Sequence, residues 1–148
     1  MNRTLLAWHS ACMSLSPEQV KAEITRYWKA FTDKDAATLS EFYAHESVGF
    51  SSTSKRSEPG RMAAIRRQRE YFGGGGRIEA KVEGIEVVLL GESAAIAAYM
   101  FRFHASRTDA LGKTVEEDIR DGRATQVFAL DPDGRLRIFH EHFSQPVG

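Results

Sequence analysis

The sequence holds a single cysteine, Cys12, among 148 residues, so it can form neither an internal disulfide nor a multi-cysteine metal site. A lone thiol fits a reducing compartment. It has no surplus of charge, with 20 basic residues against 20 acidic ones. A polyphosphate partner held by bulk charge is disfavoured, and no nucleic acid is expected. Long apolar runs are also missing. None approaches the ~18–20 residues of a membrane span, so no membrane partner is expected either. Near the start, Leu5, Leu6, Ala7 and Trp8 follow Arg3. His9 and Ser10 interrupt them before they reach the ~7–15 apolar residues of a signal-peptide core. The expected location is the cytoplasm. No Pro/Ser linker and no internal repeat divides the chain, and its length suits one domain. Residues 1–15 read as an extension, with Met13 as an alternative start, and residues 16–148 as the domain.

What is present is a well-punctuated order of elements. Ser16-Pro17-Glu18-Gln19 is a helix start, with Ser as cap, Pro at the first position and Gln three residues after the cap. Val20, Ile24, Tyr27, Trp28 and Phe31 then recur on one helical face. Asp35 can cap a second, shorter helix with Leu39, Phe42 and Tyr43 inward. Val48–Thr53 reads as a short strand. A third helix runs from about Pro59 to Phe72, its apolar side holding Met62, Ile65 and Phe72 with Arg69 close by. After Gly73–Gly76 the period changes from 3.6 to 2. Arg77–Leu90, Ala94–Arg107 and Glu116–Leu130 are rich in Val, Ile, Phe and Tyr and read as strands. Asp131-Pro132-Asp133-Gly134 is a hairpin turn before a last strand, Arg135–Ser144. Helices followed by long antiparallel strands make an α+β fold.

Three segments carry a family resemblance. They are Tyr27-Trp28-Lys29-Ala30-Phe31 with Leu39 and Phe42-Tyr43, then Gly91–Tyr99, then Arg123–Phe128 with Asp133–Ser144. Together they resemble the SnoaL-like group of the nuclear transport factor 2-like, or cystatin-like, superfamily. The wording is similar to the association domain of calcium/calmodulin-dependent protein kinase II. The resemblance implies a cone, in which a curved antiparallel sheet wraps around N-terminal helices and leaves a pocket at its open end. It implies a homodimer or a larger ring. It also implies a small, largely apolar ligand, with isomerase, dehydratase or cyclase chemistry in some members. A non-catalytic association module is the alternative, since fold alone does not fix function. The kinase domains carry pocket arginines at positions that correspond here to Met100, Gln126 and Phe143.

Strand alternation sets the candidate residues. Met100, Arg102 and His104 share one face of their strand, and the resemblance turns that face inward. Tyr99, Phe101 and Phe103 are then an outer apolar patch that a second copy would cover. In the last strand Arg137, Phe139, Glu141 and Phe143 share the inner face. Glu141, between two phenylalanines, is the first candidate acid–base residue. Its alternative is a buried ion pair with Arg102 or Arg123. Asp118 is a second candidate on a central strand, against a solvated Glu116-Glu117-Asp118 strand start. His104 is a third, as a proton shuttle. Trp28, Phe31, Phe50, Arg69, Met100, Arg102, Gln126 and Phe143 are the expected pocket lining. His140 and His142 share a face, but no third ligand is evident, so no metal is expected, nor any cofactor. Lys55–Arg77 carries seven Lys/Arg against Glu58 and Glu70, and reads as a solvated helix face. The Gly73–Gly76 run has no Lys-Ser/Thr after it and is a connection rather than a phosphate cradle.

Overall fold

The structure, a computed structural model, describes residues 14–51, 58–73 and 76–146. Cys12, Lys55, Arg56, Gly74 and Gly75 therefore lie outside the described residues. The first helix, α1 (Pro17–Thr32), starts as its sequence dictates. The Gln19 N–H donates to Ser16 Oγ at 3.2 Å while the Ser16 N–H donates to Gln19 Oε1 at 2.8 Å. Val20, Ile24, Tyr27, Trp28 and Phe31 form its buried stripe. Packing begins one residue earlier than expected, because Leu15 is buried and its N–H donates to the Glu92 carbonyl. Asp35 caps α2 (Ala36–Glu41) by accepting from the Thr38 N–H at 3.1 Å.

The first strand, β1 (Tyr43–Phe50), begins earlier than the expected Val48–Thr53, and residues 52 and 53 lie outside the described residues. A two-residue strand, β2 (Glu58–Pro59), leads into α3 (Arg61–Phe72). On α3, Ala64 and Ile65 are buried, whereas Met62, expected inward, is 67% exposed and Arg69 faces solvent. Then come β3 (Glu79–Leu90), β4 (Ala94–Thr108), β5 (Thr114–Leu130) and β6 (Leu136–Ser144). Between β5 and β6, Asp131 Oδ1 accepts the N–H groups of Asp133 and Arg135, both at 2.9 Å, and Gly134 takes a positive φ of 79°. This is the turn its sequence requires.

The six strands form one sheet in the order β2-β1-β6-β5-β4-β3. The sheet is mixed, which corrects the expectation of an antiparallel one. The β1 strand runs parallel to β6, with Tyr43 opposite Ile138 and Gly49 opposite Glu141. The chain enters β1 directly from α2, so it reaches the sheet without a hairpin and can pair in either sense.

Two irregularities decide which residues face inward. Phe103 pairs with Ile119 and Phe101 with Gly122, so β5 carries one extra residue there and buries both Ile119 and Gly122. A Cβ on Gly122 would lie 2.5 Å from Phe101 Cζ, so that ring rests directly on the glycine backbone. In β6, Val127 pairs with His140 and Phe128 with Ile138, which leaves Phe139 as the bulged residue. Ile138 and Glu141 are consequently both buried, and the expected run of Arg137, Phe139, Glu141 and Phe143 on one face is broken.

The faces of β4 are the reverse of those expected. Tyr99, Phe101 and Phe103 are buried against α1, while Met100, Arg102 and His104 point outward, Met100 being 42% exposed. The reason is elementary. The apolar stripe of α1 needs an apolar wall, and the three aromatic residues of β4 provide it. The Trp28 ring packs on Phe101 at 5.4 Å and Phe31 on Phe103 at 5.7 Å. Each such fully buried side chain stabilises by roughly 1.5–3 kcal/mol. No outer patch of Tyr99, Phe101 and Phe103 exists to be covered by a second copy.

Candidate functional site

Where α1, β1, β4, β5 and β6 converge, the core is not wholly apolar. Burying a Tyr or Trp ring brings its polar tip along, and that tip needs a partner. Tyr27 and Trp28 supply two tips from α1, Tyr43 one from β1 and Tyr99 one from β4. The acceptors at the centre are Gln126 of β5 and Glu141 of β6, which pair across the two strands. Gln126 is completely buried and Glu141 is 4% exposed.

The bonds have a direction. Tyr43 gives its one hydroxyl proton to Glu141 Oε2 at 2.8 Å. The 3.0 Å contact between the Tyr27 and Tyr43 hydroxyls must then be a donation from Tyr27. On the other side the Trp28 Nε1–H donates to the Tyr99 hydroxyl at 3.0 Å, and Tyr99 donates to Gln126 Oε1 at 2.7 Å. Gln126 Nε2 completes this second arm by donating to Glu141 Oε1 at 3.1 Å. Two arms of neutral donors thus end on the two oxygens of one carboxyl group. Chains of this kind polarise each bond in the same sense, and each bond gains strength in a low dielectric.

The tyrosines respond accordingly. Burial, with the Glu141 charge and the Tyr27 hydroxyl adding to it, pushes the Tyr43 hydroxyl well above its ordinary value of 10.0. Burial also raises Tyr99, helped by the Glu141 charge and opposed by the Trp28 hydrogen bond. Both remain protonated donors throughout the physiological range. Beside Glu141 lies a tight gap, too narrow to admit a water molecule, bounded by Tyr43, Ser47, Gly49, Gly60 and Ile138. Gly49 admits this close approach, since a Cβ there would lie 2.6 Å from the Glu141 carbonyl oxygen.

Of the residues expected from sequence, Trp28, Gln126 and Glu141 meet in this network. Phe143 joins them through its ring, 6.0 Å from Trp28 and 5.6 Å from Phe101. Phe31 lies further along α1 among Phe103, Tyr71 and Phe72. Phe50 is apart from it, its ring 5.1 Å from that of His142. Met100, Arg102, His104 and Asp118 are corrected to the outer face, and Arg69 is exposed on α3. There Asp118 meets Arg120 at 3.2 Å and His104 at 3.8 Å, and His104 meets Glu116 at 3.2 Å. Arg102 and Arg123 are exposed on that same outer side, so neither is the buried ion-pair partner weighed for Glu141. Among the described residues no group of three or more His, Cys, Asp or Glu could hold a metal, and no helix is long and apolar enough to cross a membrane.

Tyr27, Tyr43 and Tyr99 were not singled out from sequence as partners of Glu141. The signal was available, because each stands on an apolar face that buries its hydroxyl.

The comparisons with known proteins agree with this architecture. A nuclear transport factor 2-like protein of unknown function from Pseudomonas putida superposes with a TM-score of 0.71 at 21% identity, covering 88% of this chain and 87% of that one. A candidate dehydratase of the same family from Streptomyces avermitilis gives 0.71 at 20% identity, covering 88% and 97%. A candidate calcium/calmodulin-dependent protein kinase II association domain from Xanthomonas campestris gives 0.69 at 20% identity, covering 89% of each chain. No curated protein matches the chain in sequence. The fold is the same α+β cone as in these structures and in one from Salmonella enterica described as nuclear transport factor 2-like. The model of the SnoaL-like domain matches residues 20–148, and the chain belongs to that family.

Proposed function

We propose that the chain binds a small, largely apolar molecule inside the cone and that Glu141 is its acid–base residue. The observation that carries this reading is the convergence of two hydrogen-bonded arms on one buried carboxyl group. Isomerisation, dehydration and cyclisation each take a proton from one position and return it at another. A carboxyl group fixed in a largely apolar setting suits that task. The candidate dehydratase from Streptomyces avermitilis is consistent with this class of reaction. The cytoplasmic location expected from sequence belongs to the same reading.

The test begins with native mass spectrometry of the freshly purified protein, which is expected to carry a reproducible extra mass. With the retained molecule as guide to a substrate, Glu141→Gln should abolish turnover and leave the fold intact. A stable Glu141→Gln protein with full activity would remove Glu141 from the mechanism.

A second reading is an association module, favoured by the likeness to the Xanthomonas campestris structure. In that reading the network only holds the core together. Either way we propose a homodimer, now through the outward residues Val88, Leu90 and Met100, which are exposed on β3 and β4. A ligand-free ring larger than a dimer favours the module, and a dimer with retained mass favours the binder.

A further inference from the structure

Far along β4 and β5 from Glu141, a second polar cluster faces the same side of the sheet as Phe103 and Ile119. Arg107 lies four residues after Phe103 on β4, Glu117 lies two residues before Ile119 on β5, and Tyr71 reaches them from the last turn of α3. The Tyr71 hydroxyl donates to Glu117 Oε2 at 2.8 Å. The same oxygen lies 3.4 Å from Arg107 Nε, with the side chains 26% (Arg107) and 13% (Glu117) exposed. That Nε–H is buried and makes no hydrogen bond. Among the described residues, the terminal nitrogens of Arg107 meet no hydrogen-bond acceptor either. A guanidinium is thus held from its Nε side by a carboxylate that is itself anchored, while its outer fork stays unused. The ring of Tyr71 packs on Phe103 at 5.2 Å and on Phe31 at 5.7 Å, so aromatic surface adjoins the cation.

An arginine that only clasped the sheet to α3 would direct hydrogen bonds at the carboxylate. Here Nε is the one point of contact with Glu117 and is not aligned to donate, so the carboxylate sits beside the guanidinium without occupying its fork. The planar fork of a guanidinium matches a carboxylate with two parallel bonds, and adjoining rings suit an apolar or aromatic body. We propose that Arg107 recognises the carboxylate of a small monocarboxylic acid with an apolar or aromatic body. Glu117 and Tyr71 are positioning residues that hold the guanidinium. This site does not depend on chemistry at Glu141, and its failure would leave that reading untouched.

The full-length protein is titrated with benzoate and, in parallel, with neutral benzamide, followed by 1H–15N NMR shifts. Benzoate is expected to shift the amides of residues 71, 103, 107 and 117 saturably, and benzamide at least tenfold more weakly. Arg107→Gln is expected to raise the benzoate dissociation constant at least tenfold, with Arg107→Lys recovering part of the loss. Equal binding of benzoate and benzamide, unchanged benzoate binding by Arg107→Gln, or no saturable benzoate shift at these amides would each overturn the proposal. The benzoate–benzamide comparison needs only the unaltered protein, so it decides even if the variants do not fold.

Discussion

Glu141 and Asp118 are both strand carboxylates with polar neighbours, yet the two faces of the sheet give them opposite settings. Glu141 is buried and receives donors from Tyr43 and Gln126, each already polarised by a further residue behind it. Asp118 has a side chain 52% exposed, and it faces Arg120 and His104 across water-accessible contacts. The inner group is held by geometry in a low dielectric, where a lost bond is expensive. The outer group is held by charge in water, where a pair contributes roughly 0–1 kcal/mol. Charge alone therefore says little about which carboxylate can do chemistry. The faces also differ in what a substitution leaves behind, and that difference is measurable.

The largest effect is expected at Gln126. Gln126→Leu keeps the approximate volume but takes the donor from Glu141 Oε1 and the acceptor from the Tyr99 hydroxyl. Two buried polar groups are stranded, and urea unfolding should show a loss of roughly 3 kcal/mol. Arg123→Leu, three residues away on the outer side, should stay within about 0.5 kcal/mol. Equal losses would erase the distinction between the faces. Alkaline pH probes the same network without mutation. Tyr43 and Tyr99 have folded-state values raised above 10.0, so their contribution is fully present below pH 10 and is lost as pH rises beyond it. Each should cost about 1.4 kcal/mol per pH unit above 10, and Tyr43→Phe should remove its own share of that slope. A flat stability curve between pH 10 and 11.5 would show that these hydroxyls are not sealed from solvent.

On the outer face, His104→Ala and Asp118→Asn should each change stability by less than about 0.5 kcal/mol, and salt should erase even that. Thermal melts at low and high ionic strength check it. A loss above 1 kcal/mol from either would mean that the face is covered, for instance by a second copy.

Much of the fold was legible because its signals are local. The Ser16 capping box, the Asp35 cap, the apolar stripe of α1 and the Asp131–Gly134 turn each depend on a few adjacent residues, and all stand where the sequence puts them. The faces of β4 were equally local, yet they came out reversed. Aligning Met100 with a pocket arginine of the kinase domains overrode the plainer rule that Tyr99, Phe101 and Phe103 belong against the helix. Glu141 was placed inward by strict alternation from Arg137, but the bulge at Phe139 means that this alternation does not hold. Bulges depend on pairing with a distant strand, and no local pattern marks them. The parallel β1–β6 pair, the partners of Glu141 and the Arg107–Glu117–Tyr71 cluster are non-local in the same way.

Asp131 supplies a third carboxylate setting and the smallest expected effect. Like Asp118 it meets an arginine, with Oδ2 2.8 Å from Arg137 Nε, but its other oxygen also accepts two backbone N–H groups of the turn. The Arg137 hydrogen bond first, then the Arg135 N–H, hold its carboxyl below the ordinary value of 3.8. A lowered value in the folded state means the unfolded chain takes up the proton first as pH falls. The stabilisation is therefore present above about pH 4 and is lost as pH drops through the folded value. Asp131→Asn keeps an oxygen for the backbone donors but cannot titrate, so its stability should fall less steeply than that of the unaltered protein between pH 4 and 2. An acid limb as steep in Asp131→Asn as in the unaltered protein would show that the turn does not hold this carboxylate. A shallower one means that the Arg137 guanidinium and the backbone donors act together, because the donors fix the carboxylate where the guanidinium reaches it.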